Sequence, residues 1–305
     1  MLVIGPLAYD DVRTPQATRA RVLGGSAAYA SIAAAKHGPT MLVSVCGFDL
    51  RDEDLAVLRA ASIDLSGLER GDGRTLRWSG VYGDAFTRSV VRNTDLGVVA
   101  GWRPSIPAAG SEAPYAFLTN TEPAIQAAAL DQLGPTVTLL DTMDEWILGR
   151  RPELERIMAR VTILSVNEHE LRLIGGEGDL ARGAAMLLAR GLRAVIVKRG
   201  ARGASLFTAT GAFTVPAYPA VAVDPTGAGD ALGGAFIGRL SRTGQTGDAG
   251  YRDALVAGVA AASFAVESFG VDALARASLH DLDARAASLE PQPGTGDGAG
   301  LYEGR

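Results

Sequence analysis

The chain of 305 residues is 47% hydrophobic and 21% charged. That is enough apolar material for one large α/β domain or two ordinary ones, and it excludes a chain disordered along most of its length. A formal net charge of −5, from 29 basic and 34 acidic residues, supplies no basic field for nucleic acid or an anionic membrane. Cys46 stands alone and forms no internal disulfide, the three histidines are too dispersed for a structural zinc site, and no apolar run has the length of a membrane span. A soluble cytoplasmic protein is expected, with neither nucleic acid nor membrane as partner.

In chain order, residues 1–5 read as a short buried strand, and residues 12–23 are polar, β-tolerant and without helical period. Gly24-Gly25-Ser26 then opens an alanine-rich helix over 27–36, stopped by Gly38-Pro39. Residues 41–46 form a second buried strand, 52–61 a helix and 63–67 a connecting turn. From Gly73 to Asn93 the period changes. Leu76, Trp78, Gly80 and Tyr82 alternate with Thr75, Arg77, Ser79 and Val81, and after a turn residues 87–92 read as the returning strand. A hairpin with one polar face interrupts the alternation of strand and helix, as an inserted β lid would.

From Tyr115 the alternation resumes, with strands expected at 115–118, 137–141, 163–166, 194–198 and 203–207 and helices at 123–133, 153–160 and 179–190. Residues 224–239 and 251–269 read as helices, and the Gly- and Pro-rich tail from 291 to 305 as disordered. The fold expected is α/β: three layers, a mostly parallel sheet with helices on both faces, plus a small β-strand lid. Residues 1–9, 24–72 and 96–290 would form the core, and 10–23 with 73–95 the lid.

Lysine occurs only at Lys36 and Lys198, and neither is followed by Ser or Thr, so no P-loop is present. The dinucleotide fingerprint also fails after the first strand, where Gly5-Pro6-Leu7-Ala8-Tyr9 lacks the later glycines. The sharpest feature is Val223-Asp224-Pro225-Thr226-Gly227-Ala228-Gly229-Asp230, running into a helix. Small residues before a helix expose backbone N–H groups at its positive end and so form an anion nest. A carboxylate just inside would compete with a resident anion. It makes sense if the anion is a phosphoryl group in transfer and Asp230 takes the proton of the attacking hydroxyl.

With that octapeptide the chain resembles the ribokinase (PfkB) family of sugar and nucleoside kinases, over nearly its full length to about Leu289. Further landmarks follow in order. Gly24, Gly25 and Ser26 with their helix match the motif whose backbone approaches the substrate. Asp10 stands where the family places a carboxylate gripping sugar hydroxyls, and Gly47-Phe48-Asp49 matches a Gly-x-Asp after the second strand. Asn167 and Glu170 match the Asn-x-x-Glu motif associated with hydrated Mg2+ and the nucleotide phosphates. Lys198 to Gly203, with Gly200, match the turn beside ATP. The resemblance implies Asp230 as general base, Gly227, Ala228 and Gly229 as anion hole, and Thr226 with the nucleotide. It further implies Glu170 on Mg2+ through water and Asp224 at a K+ site. A two-element β layer cannot bury both faces alone, so one face of the lid is expected to meet substrate, the main domain or a second copy in a homodimer.

Two positions depart from the family's usual residues. Tyr29 replaces an Asn that often binds substrate, and Lys198 stands where many members carry Thr. Arg74, Trp78, Arg88 and Asn93 are further candidate contacts in the lid, whereas His37, Glu168 and His169 are expected at the surface. The acceptor implied is the hydroxymethyl of a small sugar. A ribonucleoside is the alternative, since Tyr29, Trp78 and Tyr82 offer rings to a base, and a catalytically silent sugar- or nucleotide-binding regulator is a third reading.

Overall fold

Neighbouring residues along the central strands fall into two separate cores. Val3, Leu42, Phe117, Leu139, Ile163 and Ile196 pack in one; Leu2, Val43, Leu118, Leu140, Leu164 and Val195 pack in the other. Side chains alternate across a pleated strand, so this division marks a sheet covered on both faces. The computed structural model describes residues 1–83, 89–134, 137–176 and 178–294. The helices Ser26–Ala35, Ala228–Thr243 and Asp248–Ala265 supply the first core. Pro123–Leu130, Arg151–Met158, Glu168–Gly175 and Leu180–Leu188 supply the second.

The main sheet runs, in spatial order, Gln292–Pro293, Ala212–Val215, Ala204–Thr208, Ala194–Lys198, Ile163–Asn167, Val137–Asp141, Tyr115–Leu118, Leu2–Ile4, Thr40–Cys46 and Ile63–Arg70. The pairs from Ala194–Lys198 through Ile63–Arg70 are parallel, and the three pairs on the other side are antiparallel. Parallel strands end on one side of the sheet, and that side is where such folds place ligands.

A second sheet orders Thr18–Gly24, Ala8–Arg13, Leu76–Tyr82 and Ser89–Asp95. Its outer pairs are antiparallel, and the central pair is parallel, with Asp10 beside Trp78. The polar stretch after the first strand and the later hairpin therefore join in one four-stranded layer. Among the described residues no helix is long and apolar enough to cross a membrane.

Several elements differ from the sequence reading. Residues 63–67, expected as a turn, begin the strand Ile63–Arg70 at the sheet edge, where only Ile63 and Gly67 are buried and the alternation is hidden. The strand Ala212–Val215 was not anticipated, and Gln292–Pro293, in the tail expected to be disordered, pairs with it; residues 295–305 lie outside the described residues. The helix expected from Asp224 starts at Ala228, because Pro225 and Thr226 form a turn closed by the Ala228 amide on the Pro225 carbonyl, at 3.3 Å. His37 is buried rather than exposed, and burial followed by the nearby Arg239 lowers its pKa to about 4, which keeps the ring neutral.

Gly25 shows how the strand Thr18–Gly24 turns so tightly into the helix Ser26–Ala35. Its φ is 84°, and a Cβ there would stand 2.5 Å from the Ala8 nitrogen and 2.6 Å from the Pro6 oxygen. The glycine is thus required by the chain's own crossing, and a branched residue would meet this backbone before it met substrate. Gly25→Ala should destabilise the fold by about 2–4 kcal/mol, from the left-handed backbone and the overlap together. Urea unfolding measures it, and a loss under about 1 kcal/mol would mean that the turn relaxes.

Candidate active site

Loops leaving the parallel strands face the small sheet across a cleft of about 320 Å³. Pro6 follows the strand Leu2–Ile4, Asn120 follows Tyr115–Leu118 and Met143 follows Val137–Asp141, while Asp10 and Trp78 come from the small sheet. Gly25, Ser26, Tyr29, Thr226, Gly227 and Asp230 complete the inner end. Two sequence motifs 200 residues apart thus share one wall.

Asp10 is 3% exposed. Burial raises its pKa to about 7; the Gly25 amide opposes that, and Asp224 and Asp230 add to it. Ser26 is occupied, its hydroxyl sharing a 2.8 Å hydrogen bond with Thr119 Oγ1 and donating to the Asn120 carbonyl at 3.1 Å. It locks the helix start to the strand end opposite.

The nest is built at the start of Ala228–Thr243. Gly227 is the N-cap with φ 77°, and no side chain caps the helix, so the first-turn amides remain for a ligand. A Cβ on Gly227 would lie 2.3 Å from the Tyr29 ring, so only glycine fits. Tyr29, expected as a substrate contact offering its ring, lines the inner end of the cleft and is also a floor under the nest: it is 1% exposed, and its hydroxyl is buried without a hydrogen-bond partner. Its ring thereby fixes where the nest sits.

Asp230 occupies the third helical position, half-buried and open to the cleft. Burial and then Asp141 raise its pKa to about 7, against the opposing charge of Lys198. The Lys198 ammonium donates to both oxygens of Asp141, at 2.7 and 2.9 Å. Burial alone would lower its pKa, but Asp141, Glu170 and Asp230 outweigh that and hold it charged. The lysine lies against the nest: a Cβ on Gly229 would stand 3.1 Å from its Cδ and 3.3 Å from its Nζ.

Asn167 and Glu170 form a capping box on Glu168–Gly175: the Asn167 amide donates to Glu170 Oε2 at 2.7 Å, and the Glu170 amide to Asn167 Oδ1 at 2.9 Å. The motif therefore has a folding role of its own, satisfying two helix amides. Burial raises the Glu170 pKa to about 7, with Lys198 opposing. Among the described residues no three acidic, His or Cys groups are arranged to hold a metal themselves. The residues fit an ion that arrives on phosphate and keeps its water.

Gly200 and Gly203 bound a tight turn in which the Arg199 amide donates to the Gly203 carbonyl at 2.8 Å. Glu168, expected simply to face solvent, ties this turn to the capping-box helix by pairing with Arg199 at 3.0 Å and with Arg202. Asp224 is fully buried; its Oδ1 accepts the Thr226 amide at 2.9 Å, and its Oδ2 has no hydrogen-bond partner. Thr226, expected beside the nucleotide, lines the cleft and donates its hydroxyl to Tyr82 of the small sheet at 3.1 Å. Of the lid candidates Trp78 lines the cleft, Arg74 and Asn93 do not, and Arg88 lies outside the described residues.

Sequence reasoning missed Asp141, Asn120, Met143 and Trp146. Each stands at or just beyond the carboxyl end of a correctly placed strand, or on the short helix that follows, and that position was the available signal.

Comparison with known proteins agrees with this geometry. A model of the pfkB family carbohydrate kinases matches residues 4–277. A cytidine kinase of Thermococcus kodakarensis is 31% identical over 252 residues, covering 79% of this chain and 88% of that enzyme. The structure of the Methanocaldococcus jannaschii nucleoside kinase superposes with a TM-score of 0.76 at 18% identity, over 94% of this chain and 98% of that one. The Salmonella enterica aminoimidazole riboside kinase, complexed with aminoimidazole riboside and an ATP analog, gives 0.73 at 21% identity, over 94% and 100%.

The Lys198–Asp141 pair carries a stability prediction. Lys198→Met leaves Asp141 buried and unpaired and should cost about 3–5 kcal/mol, while Lys198→Met with Asp141→Leu should recover most of it. Urea unfolding of the three variants decides; a single variant as stable as the parent would show the pair to be idle.

Proposed function

We propose, from the premise that this chain belongs to the pfkB family of carbohydrate kinases, that it moves the γ-phosphoryl group of ATP to the hydroxymethyl of a ribofuranosyl acceptor. A nucleoside ranks ahead of a free sugar. One observation carries the reading: Asp230 belongs both to the acceptor cleft and to the first turn of an uncapped helix. A hydroxyl bound in the cleft and a phosphoryl group held by the nest would therefore meet at this carboxylate.

Asp10 would hold the sugar hydroxyls and so aim the hydroxymethyl at Asp230. As the acceptor oxygen bonds to γ-phosphorus, the bond from that phosphorus to the bridging oxygen breaks, ADP leaves, and the hydroxyl proton passes to Asp230. The amides at Gly227, Ala228 and Gly229 and the Lys198 ammonium take up the charge on the transferring group. Asn167, Gly200 and Gly203 would flank the nucleotide, and Glu170 would hold Mg2+ through water, where the ion neutralises phosphate charge. The unpartnered Oδ2 of Asp224 fits a monovalent cation such as K+, which would stiffen the nest loop.

Support for a nucleoside comes from the cytidine kinase relative, which matches most of both chains. The small sheet would act as a lid excluding water from the phosphoryl group. Its edge strand leaves Val90 57% exposed, a face on which a second copy could pair in a homodimer. The lone, buried Cys46 suits a reducing cytoplasm.

Asp230→Asn keeps the shape of the side chain but cannot accept the proton. Turnover should fall about 10²–10⁴-fold while ATP binding, read by calorimetry, survives. A variant keeping more than about a tenth of parental kcat would remove Asp230 as the base.

A further inference from the structure

The cleft is chemically lopsided. Asp10, Glu122, Glu145 and Asp230 line it, and among the described residues no lysine, arginine or histidine does. An acceptor already bearing phosphate or carboxylate would bury its charge there without a counter-ion. Neutral acceptors rich in hydrogen-bond donors suit the same wall.

Asn120 adds a directional group. An indole N–H can only donate, so the Asn120 atom that Trp146 Nε1 meets at 3.1 Å is the amide oxygen. The amide NH2 is thereby turned to Met143 Sδ at 3.2 Å, a weak acceptor that itself lines the cleft. A ring nitrogen or carbonyl oxygen is a better partner than a thioether. Glu145, the neighbour of Trp146 in the chain, is exposed and lines the same cleft with an acceptor-only carboxylate. From the lid, Trp78 offers an indole face on which a planar ring can stack.

We propose that this wall is a base subsite. Its acceptor is an uncharged nucleoside whose base carries an amino group beside an unprotonated ring nitrogen, with Asn120 donating to the ring nitrogen and Glu145 accepting from the amino group. An oxo base places a carbonyl oxygen against the Glu145 carboxylate and an N–H against the Asn120 donor, and both contacts are repulsive. The assignment rests on the kinase reading above and selects among its acceptors.

The test measures kcat/KM for two amino/oxo pairs, cytidine with uridine and adenosine with inosine, together with ribose and ribose 1-phosphate. The amino member of at least one pair should exceed its oxo partner by about tenfold or more, as a lost buried hydrogen bond commonly costs, and ribose 1-phosphate should be the poorest acceptor. Asn120→Leu should lower the nucleoside-to-ribose ratio of kcat/KM by about tenfold, through the nucleoside KM rather than kcat. Glu145→Gln should bring the amino-to-oxo ratio towards one. Oxo members equal to or better than their partners, efficient use of ribose 1-phosphate, or an Asn120→Leu loss falling equally on ribose would each overturn the subsite. Turnover of ribose alone would overturn it while leaving the kinase reading intact; no turnover of any acceptor would remove both.

Discussion

One ammonium holds the centre of this molecule together. Asp141, Glu170 and Asp230 act electrostatically on Lys198 from three different elements, and burial makes each negative charge costly. The bidentate grip of Lys198 on Asp141 makes that concentration of carboxylates tolerable. It also leaves Asp230 in a setting where its proton is held loosely enough to exchange near neutral pH. The phosphoryl transfer proposed here, with Asp230 as base, needs this balance: fewer carboxylates would leave no base, and no lysine would leave no cation beside the nest.

The fold brings these groups together through strand register. Asn167 pairs with Lys198 across two parallel strands, and Asp141 pairs with Ser165 one strand further on, so the three residues gather at the carboxyl ends of neighbouring strands. The helix carrying Asp230 packs on the face below, and Tyr29 from the first helix sets its height. The small sheet obeys the same logic, since its parallel central pair puts Asp10 beside Trp78 on the cleft. Thr226 donates to Tyr82 and so links that sheet to the nest loop.

Much of this was legible in residues 1–305 read as text. Strands 115–118, 137–141 and 194–198 lie where their apolar runs place them, because a strand buried on both faces is written as an unbroken run. The nest was legible because small residues run directly into a helix, and the structure adds why Gly227 is one of them: it must avoid Tyr29 and adopt a positive φ. The edge strand Ile63–Arg70 was not, since Asp64, Ser66 and Arg70 are exposed, only Ile63 and Gly67 are buried, and its pattern resembles a turn. Nor were Asn120, Asp141 and Trp146, whose placement depends on neighbouring strands far away in sequence. Tyr29 was placed at the cleft by its motif, but the sequence contains no sign that its hydroxyl is buried without a partner or that its ring lies under Gly227.

The central claim is that Asp230 can hold or release a proton near neutrality because burial and Asp141 oppose its charge more than Lys198 favours it. A 13C NMR titration of the Asp230 carboxyl, assigned by its absence in Asp230→Asn, tests this without reference to turnover. The structure predicts a midpoint at about 7 in the free protein. A midpoint near the ordinary aspartate value of about 3.9 would contradict it, and with it the account of the site as a proton-accepting centre.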